Sequence, residues 1–394
     1  MAANTTSLIR RIVEKQASQT ARDMRHWRQA KQEATKPDMP KRVRLVDLIN
    51  DLLYDTHLSS QMELRIDTSL AKSYTLLRED ESPDEETTTL MRRCNAFGDL
   101  IRIALETPFW GHSLVEILPS PDCLFTADLL PRRHVVPGRG LLLPDITSDK
   151  GIPYRDDAGY GKSIIEMGDV RDLGILFDCA PATIYKRYAM ASWSEFCEIY
   201  GIPPRVLKIN TDDSEAMERG AAMMRQMGSA NWAIVDKDED LTFGTGLSDN
   251  GSVFLQLIAA AKEDVSLKIC GASLGQDTLH GNRSKEESSL ELLEAKCLAD
   301  RRTVERRMNA IILPALAAQG FIPEGLHFSF GGEEDKEGLW NRTISLLPYY
   351  NVDEEWLRDT FGVEVTDAKS AFPTQGLSAR LSHKQQEEDD DPFV

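Results

Sequence analysis

The 394-residue sequence lacks any apolar run approaching the roughly 18 residues that a bilayer-spanning helix requires. Its opening residues also lack the unbroken apolar core of a secretory signal, because Arg10 and Arg11 separate Leu8 and Ile9 from Ile12 and Val13. Both absences point to a soluble protein that starts life in the cytoplasm. The six cysteines (Cys94, Cys123, Cys179, Cys197, Cys270, Cys297) include no CxxC pair, which argues against a disulfide framework in a chain this long. Cys197 and Cys297 fall in apolar helical patterns and are expected to be buried small hydrophobes. Histidine is sparse: none of the seven pairs with His or Glu at a metal-binding helical spacing. No GxSxG elbow occurs, so nucleophilic hydrolysis has no local support.

Two stretches imitate ligand-binding motifs and fail on spacing. Gly159-Tyr160-Gly161-Lys162-Ser163 looks like the end of a phosphate-binding loop. That loop needs Gly four residues before the final Gly-Lys pair, where Asp156 stands, and β-favouring residues rather than a helix follow. Asp236-Lys237-Asp238-Glu239-Asp240 alternates like a calcium loop, but Leu241 replaces its turn Gly and Leu247 its closing Glu. A solvated acidic turn is expected instead. The sequence is therefore read as non-enzymatic, with no metal and no cofactor. A nucleotide hydrolase or nuclease is the enzymatic alternative, supported only by the defective Gly161-Lys162-Ser163.

Charge is abundant and unevenly placed. The net charge is −18, yet residues 1–44 hold eleven Lys or Arg against Glu14, Asp23, Glu33 and Asp38. This basic arm carries +7, so the remaining 350 residues carry −25. An acidic body repels a phosphate backbone, which disfavours a conventional duplex-gripping protein. The arm is expected to be a weak helix or a segment ordered on assembly. The run Glu387-Glu388-Asp389-Asp390-Asp391 predicts a disordered acidic tail over 366–394.

Periodicity organises the rest. Leu45, Leu48, Ile49 and Leu52 share a helical face, and Leu58, Met62, Ile66 and Leu70 share a second. Glu79–Glu86 reads as an exposed loop, and a third helix follows through Met91 to Leu105. Residues 114–170 break into short β-favouring pieces with Pro and Gly punctuation. Thr183–Tyr200 carries Tyr185, Tyr188, Trp193, Phe196 and Ile199 and stops at Gly201 and Pro203. A β-α-β-β insert follows: a strand at Arg205–Ile209, a helix N-capped by Asp213, and strands at Asn231–Val235 and Leu241–Phe243. A helix then resumes with Phe254, Leu257, Ile258, Ala261, Val265 and Ile269 on one face. After a polar loop, a long helix starts near Glu286, and its charges Asp300, Arg301, Arg302, Glu305, Arg306 and Arg307 are expected on a solvated side. Pro314 should end or kink it. A short helix is expected around Asp353–Phe361. The fold class is α+β, mainly helical, with an α/β module inserted between two helices.

Three blocks resemble the Mu-like tailed-bacteriophage portal family, in the family's order. They are Leu52-Leu53-Tyr54-Asp55-Thr56-His57-Leu58 with the Arg65 helix; Ser192–Pro203, ending Glu198-Ile199-Tyr200-Gly201-Ile202-Pro203; and Ser273-Leu274-Gly275-Gln276-Asp277-Thr278-Leu279. The third departs at Asp277, which separates Gln276 from Thr278. The resemblance covers roughly Leu45 to Leu316. It implies an N-terminal arm (1–44), a wing of helices and irregular β (45–181), stem helix 1 (182–201), a clip (202–250) and stem helix 2 (251–274). A tunnel loop (275–285), a long wing helix (286–320), a wing or crown segment (321–365) and the tail complete the plan. The loop that would face DNA comprises Gly275, Gln276, Asp277, Thr278, Leu279, His280, Gly281, Asn282, Arg283, Ser284 and Lys285. Stem packing would rest on Tyr185, Tyr188, Trp193, Phe196, Phe254, Leu257, Ile258 and Val265.

The same resemblance implies a ring of twelve copies at a capsid vertex, through which double-stranded DNA passes without sequence specificity. Its partners would be the terminase large subunit, the major capsid or scaffold protein and a head–tail adaptor, with no membrane. Another head–tail connector or minor capsid protein is the alternative. An acidic bore, to which each copy brings −18, would let the duplex slide rather than stick.

Overall fold

In a computed structural model of the protein, residues 23–121, 123–200, 205–209, 212–226, 232–236, 251–273, 283–331, 339–340, 343–345 and 352–362 are described. The chain divides into two units, Met1–Gly332 and Glu333–Val394.

Helix α1 (23–34) buries Ala30 and Ala34 and stacks Trp27 on Phe177 at 5.5 Å. The basic arm is thus part of the body from residue 23 onward. Lys41 donates to the carbonyls of Ile146 and Ser148 at 3.2 and 2.9 Å, and Arg42 is 4% exposed. Helices α2 (Val43–Leu52) and α3 (Thr56–Leu70) follow the expected apolar faces. Asp55 starts α3 by accepting from the His57 and Leu58 amides.

Strand β1 (Tyr74–Leu77) leads to α4 (Glu85–Arg93), which takes the last two residues of the expected acidic loop. Asp84 caps that helix and Glu85 and Glu86 occupy its first turn, where carboxylates favour the positive end of the helix dipole. The expected third helix is two, because Cys94 is extended between α4 and α5 (Asn95–Trp110).

The irregular β region is built on β2 (His112–Pro119), flanked antiparallel by β3 (Phe125–Leu129) and β7 (Ile164–Gly168). Val115 and Ile117 of β2 join the main core, while Leu114 points the other way, onto Val135 and Tyr154. Strands β4 (Val135–Val136), β5 (Leu141–Leu142) and β6 (Ile152–Pro153) make a small antiparallel sheet beside it.

Helix α6 (Ile175–Tyr200) is longer than expected and runs through Pro181. Then come β8 (Arg205–Ile209), α7 (Ser214–Gln226) and β9 (Trp232–Asp236), with β8 and β9 parallel, and α8 (Ser252–Cys270). Asp213 caps α7 through the Glu215 and Ala216 amides. The third expected insert strand, near 241–243, lies outside the described residues.

Helix α9 (Arg283–Arg307) passes through a π-turn (Met308–Ile312) into α10 (Leu313–Ala318). The turn sits just before Pro314, whose missing N–H and ring bulk disrupt the regular ladder there. Strand β10 (His327–Phe330) pairs antiparallel with β1, some 250 residues away in sequence. Asn309 bonds both the N–H and C=O of Phe328, and Glu305 accepts from the Phe330 N–H, so α9 and the π-turn cover that strand's outer edge. In the second unit, α11 (Glu354–Phe361) buries Leu357 and sets Trp340 and Trp356 edge-on to Phe361.

Two helix-interior prolines each release a carbonyl four residues earlier, and each carbonyl finds a distant donor. Pro108 releases Ala104, whose oxygen accepts from Arg307 Nη1 at 3.0 Å. Pro181 releases Phe177, whose oxygen accepts from Trp27 Nε1 at 3.3 Å.

Candidate functional site

Helices α6 and α8 pack antiparallel. Near the end of α6, Phe196 meets Phe254 at 5.8 Å, and Trp193 lies over Gly251, the residue before α8. A Cβ on Gly251 would sit 2.9 Å from Trp193 Nε1, and its φ of 82° suits glycine. At the other end, Asp178 pairs with Lys268 at 2.6 Å. The β8–α7–β9 module therefore projects from one end of the helix pair, and the chain leaves α8 for α9 at the opposite end.

Of the aromatic and aliphatic residues expected to pack these helices, Ile258 and Val265 are buried, and Tyr188, Trp193, Phe196 and Phe254 are half-buried. Tyr185 and Leu257 are 44% and 46% exposed. Cys197, expected inside, is exposed; Cys297 is buried. Residues 275–282 of the expected DNA-facing loop lie outside the described residues, and Arg283, Ser284 and Lys285 form the first turn of α9.

Helix α3 holds both helices that flank this segment. His57 Nε2 lies 3.0 Å from the Lys262 carbonyl and 3.0 Å from Ser266 Oγ. Cys270 Sγ donates to the Gln61 carbonyl. Arg65 Nη1 donates to the Ile269 carbonyl at 2.6 Å in the last turn of α8, while its Nε and Nη2 grip Asp300 of α9 at 2.6 and 2.8 Å. Asp55, the α3 cap, is also held by Lys186 of α6 through both oxygens at 2.8 and 2.9 Å. Burial alone would raise the Asp55 pKa, but the Lys186 bond and the two amides bring it below the usual carboxylate range. Burial pushes His57 below its ordinary value, so it stays neutral near pH 7.

The charges of α9 consequently divide: Arg302 and Arg306 are exposed, whereas others turn inward. Asp300 is bound to Arg65, Arg307 to the released Ala104 carbonyl, and Arg301 is 5% exposed and paired with Glu294. Helical spacing did not reveal the inward charges, because the partners of Asp300 and Arg307 lie on α3 and α5. The signals available were indirect: a proline inside a helix implies a carbonyl in need of a donor.

The phosphate-loop lookalike has no cradle to offer. The amides of Lys162, Ser163 and Ile164 all donate to the Gly159 carbonyl at 2.9 Å, and β7 follows. Among the described residues no group of three or more His, Cys, Asp or Glu is placed to hold a metal, and no helix is long and apolar enough to cross a membrane.

A family model described as the portal protein of Mu bacteriophage matches residues 46–363, more than half of the chain. The chain belongs to this phage portal family. No curated protein matches it. The match starts within α2 and ends just past α11, so it takes in the helix pair, its α/β module and the α3 anchor. Helix α1 and the basic segment before it fall outside the matched span.

Proposed function

We propose that the chain is a structural, non-enzymatic subunit of a ring, most simply of twelve copies, at a capsid vertex, forming the channel for DNA packaging and ejection. In this reading α6 and α8 are the stem and β8–α7–β9 belongs to the clip. The segment from Gly275 to Lys285 is the tunnel loop that faces duplex DNA, and α2–α5 with the β2 sheet and α9 form the wing. The clip end would serve the terminase large subunit and later a head–tail adaptor, and the wing would meet capsid or scaffold protein.

The observation that carries this reading is an α/β module projecting from an antiparallel helix pair inside the family match. A second observation supports the ring. Helix α8 has an exposed apolar stripe, Val253, Leu257 and Leu267, beside the one it buries against α6. A lone chain leaves that stripe in water, whereas a head-to-tail neighbour would cover it. The acidic balance suits a bore through which a polyanion slides.

Light scattering with electron microscopy tests the proposal. Twelve copies of 44.2 kDa give particles of about 530 kDa with an axial hole. Compact particles without a hole, at any mass, would favour a different connector role.

A further inference from the structure

Helix α1, which precedes the span matched by the family model, shows solvent a cationic face. Arg25, Arg28 and Lys31 follow one another at a spacing of one helical turn and are exposed. Ala30 and Ala34 are buried, and Trp27 is clamped to Phe177. Among the described residues none of the three cations pairs with a carboxylate; Glu33 of the same helix is taken by Arg44 of α2. They stand in a chain of net charge −18, so an uncompensated basic face asks what covers it.

A complementary surface lies across the same body. Helix α3 turns Glu63, Leu64 and Asp67 to solvent. Its neighbours extend the carboxylates. Exposed Glu263 follows Lys262, whose carbonyl meets His57, and exposed Asp99 lies one turn before Arg102, which reaches Asp67 at 3.4 Å. The cations there are committed or withdrawn: Arg102 is tied to Asp67 and Glu106, and Lys262 is half-buried. Helix α6 fixes where the two faces lie. Its Lys186 holds Asp55, the cap of α3, and its Tyr188 donates to Asp23 at the start of α1. Residues two apart point roughly 200° apart around a helix, so α1 and α3 flank α6 on opposite sides. The exposed α8 stripe is likewise turned from α3, because Leu257 is about two and a half turns from Ser266, which meets His57.

We propose that Arg25, Arg28 and Lys31 of α1 dock on the acidic α3 face of a second copy of this chain. The contact rests on the ring reading, and it gives each head-to-tail interface a charged half beside the apolar stripe. Two unlike faces on opposite sides of one subunit are what a closed ring repeats. Copies that each bring −18 repel one another, and an opposite-charge contact offsets that repulsion and fixes register. Duplex DNA is the other candidate polyanion, but a face of three cations on so acidic a body grips a phosphate backbone poorly.

Reversing exposed charges in the full chain tests this without touching the core. Arg25→Glu with Arg28→Glu should raise the protein concentration at which rings form about ten-fold, read by light scattering at ~0.1 M salt. Glu63→Lys with Glu263→Lys should do the same. Each copy presents both faces, so all four changes in one chain recreate an opposite-charge interface and should return ring formation to near the wild-type concentration. Carbodiimide coupling of wild-type rings, where no variant has to fold, should join Lys31 to Glu63 or Asp67 in peptides spanning two isotope-labelled copies. Rings that the Arg25 and Arg28 changes leave untouched overturn this contact and spare the ring reading; if those rings also lose affinity for duplex DNA, the face belongs to nucleic acid. Weakened rings that the chain with all four changes fails to restore overturn it as well. A wild-type chain that forms no ring sinks both readings.

Discussion

Glu166 gathers four side chains on one carboxylate. His112 and Tyr154 reach Oε1 at 2.9 and 2.7 Å, Tyr160 reaches Oε2 at 2.8 Å, and Arg155 spans both oxygens. Burial would raise its pKa, but these bonds together hold it far below the ordinary 4.5. Because the folded value is depressed, the stabilisation is complete above about pH 4.5 and fades as pH falls below it. His112 and His57 act in the same direction from higher pH. Both are pushed below 6.5 by burial, so under about pH 6.5 the unfolded chain binds protons that the folded chain refuses. Tm should therefore fall in two stages on acidification. Glu166→Gln should cost about 3 kcal/mol near neutral pH and flatten the lower stage, as followed by circular dichroism melts. The Arg65–Asp300 pair makes a second residue-scale case. Asp300→Ala leaves a buried guanidinium unpaired and should cost about 3 kcal/mol in urea unfolding; adding Arg65→Met should recover much of that loss.

At the scale of elements, proline-broken helices are repaired from outside. Arg307 serves α5 at Ala104 and Trp27 serves α6 at Phe177. Arg307→Met should destabilise by about 1–2 kcal/mol, because a buried carbonyl loses its donor. Pro108→Ala restores a backbone N–H to that carbonyl, so the double variant should lose less than the Arg307 change alone. A double-mutant cycle should show coupling of about 1 kcal/mol, and additive effects would mean that the released carbonyl does not matter. The same logic explains why α1 belongs to the body although its sequence reads as a weak helix. Its stability comes from packing Ala30 and Ala34 and from the Trp27 clamp, none of which is local. Two α9 charges are the converse: spacing alone assigns Asp300 and Arg307 to water, and α3 and α5 take them inward.

At the scale of the whole molecule, the exposed stripe on α8 bears on assembly. Leu257→Glu changes a side chain 46% exposed in the single chain, so it should alter Tm by no more than about 1–2 °C. In a ring, the same carboxylate would be buried against a neighbour. Light scattering should then find the variant well below the 530 kDa expected of about twelve copies, with the fold intact. A full-size ring from Leu257→Glu would place the subunit contact elsewhere.

What the sequence by itself determined was local and periodic. Apolar spacing placed α2, α3, α8 and α11 to within a few residues, Asp213 announced α7, and the order of three blocks pointed to the portal family that the match over residues 46–363 shows. Such features are readable because side-chain period and capping chemistry act over one to four residues. Only the tertiary structure decided the pairing of β1 with β10, the grip of α3 on α8 and α9, the burial of Arg42 and Arg301, and the exposure of Cys197. Each depends on partners tens to hundreds of residues away. A charged or polar side chain carries no local mark of whether water or a distant carbonyl will satisfy it.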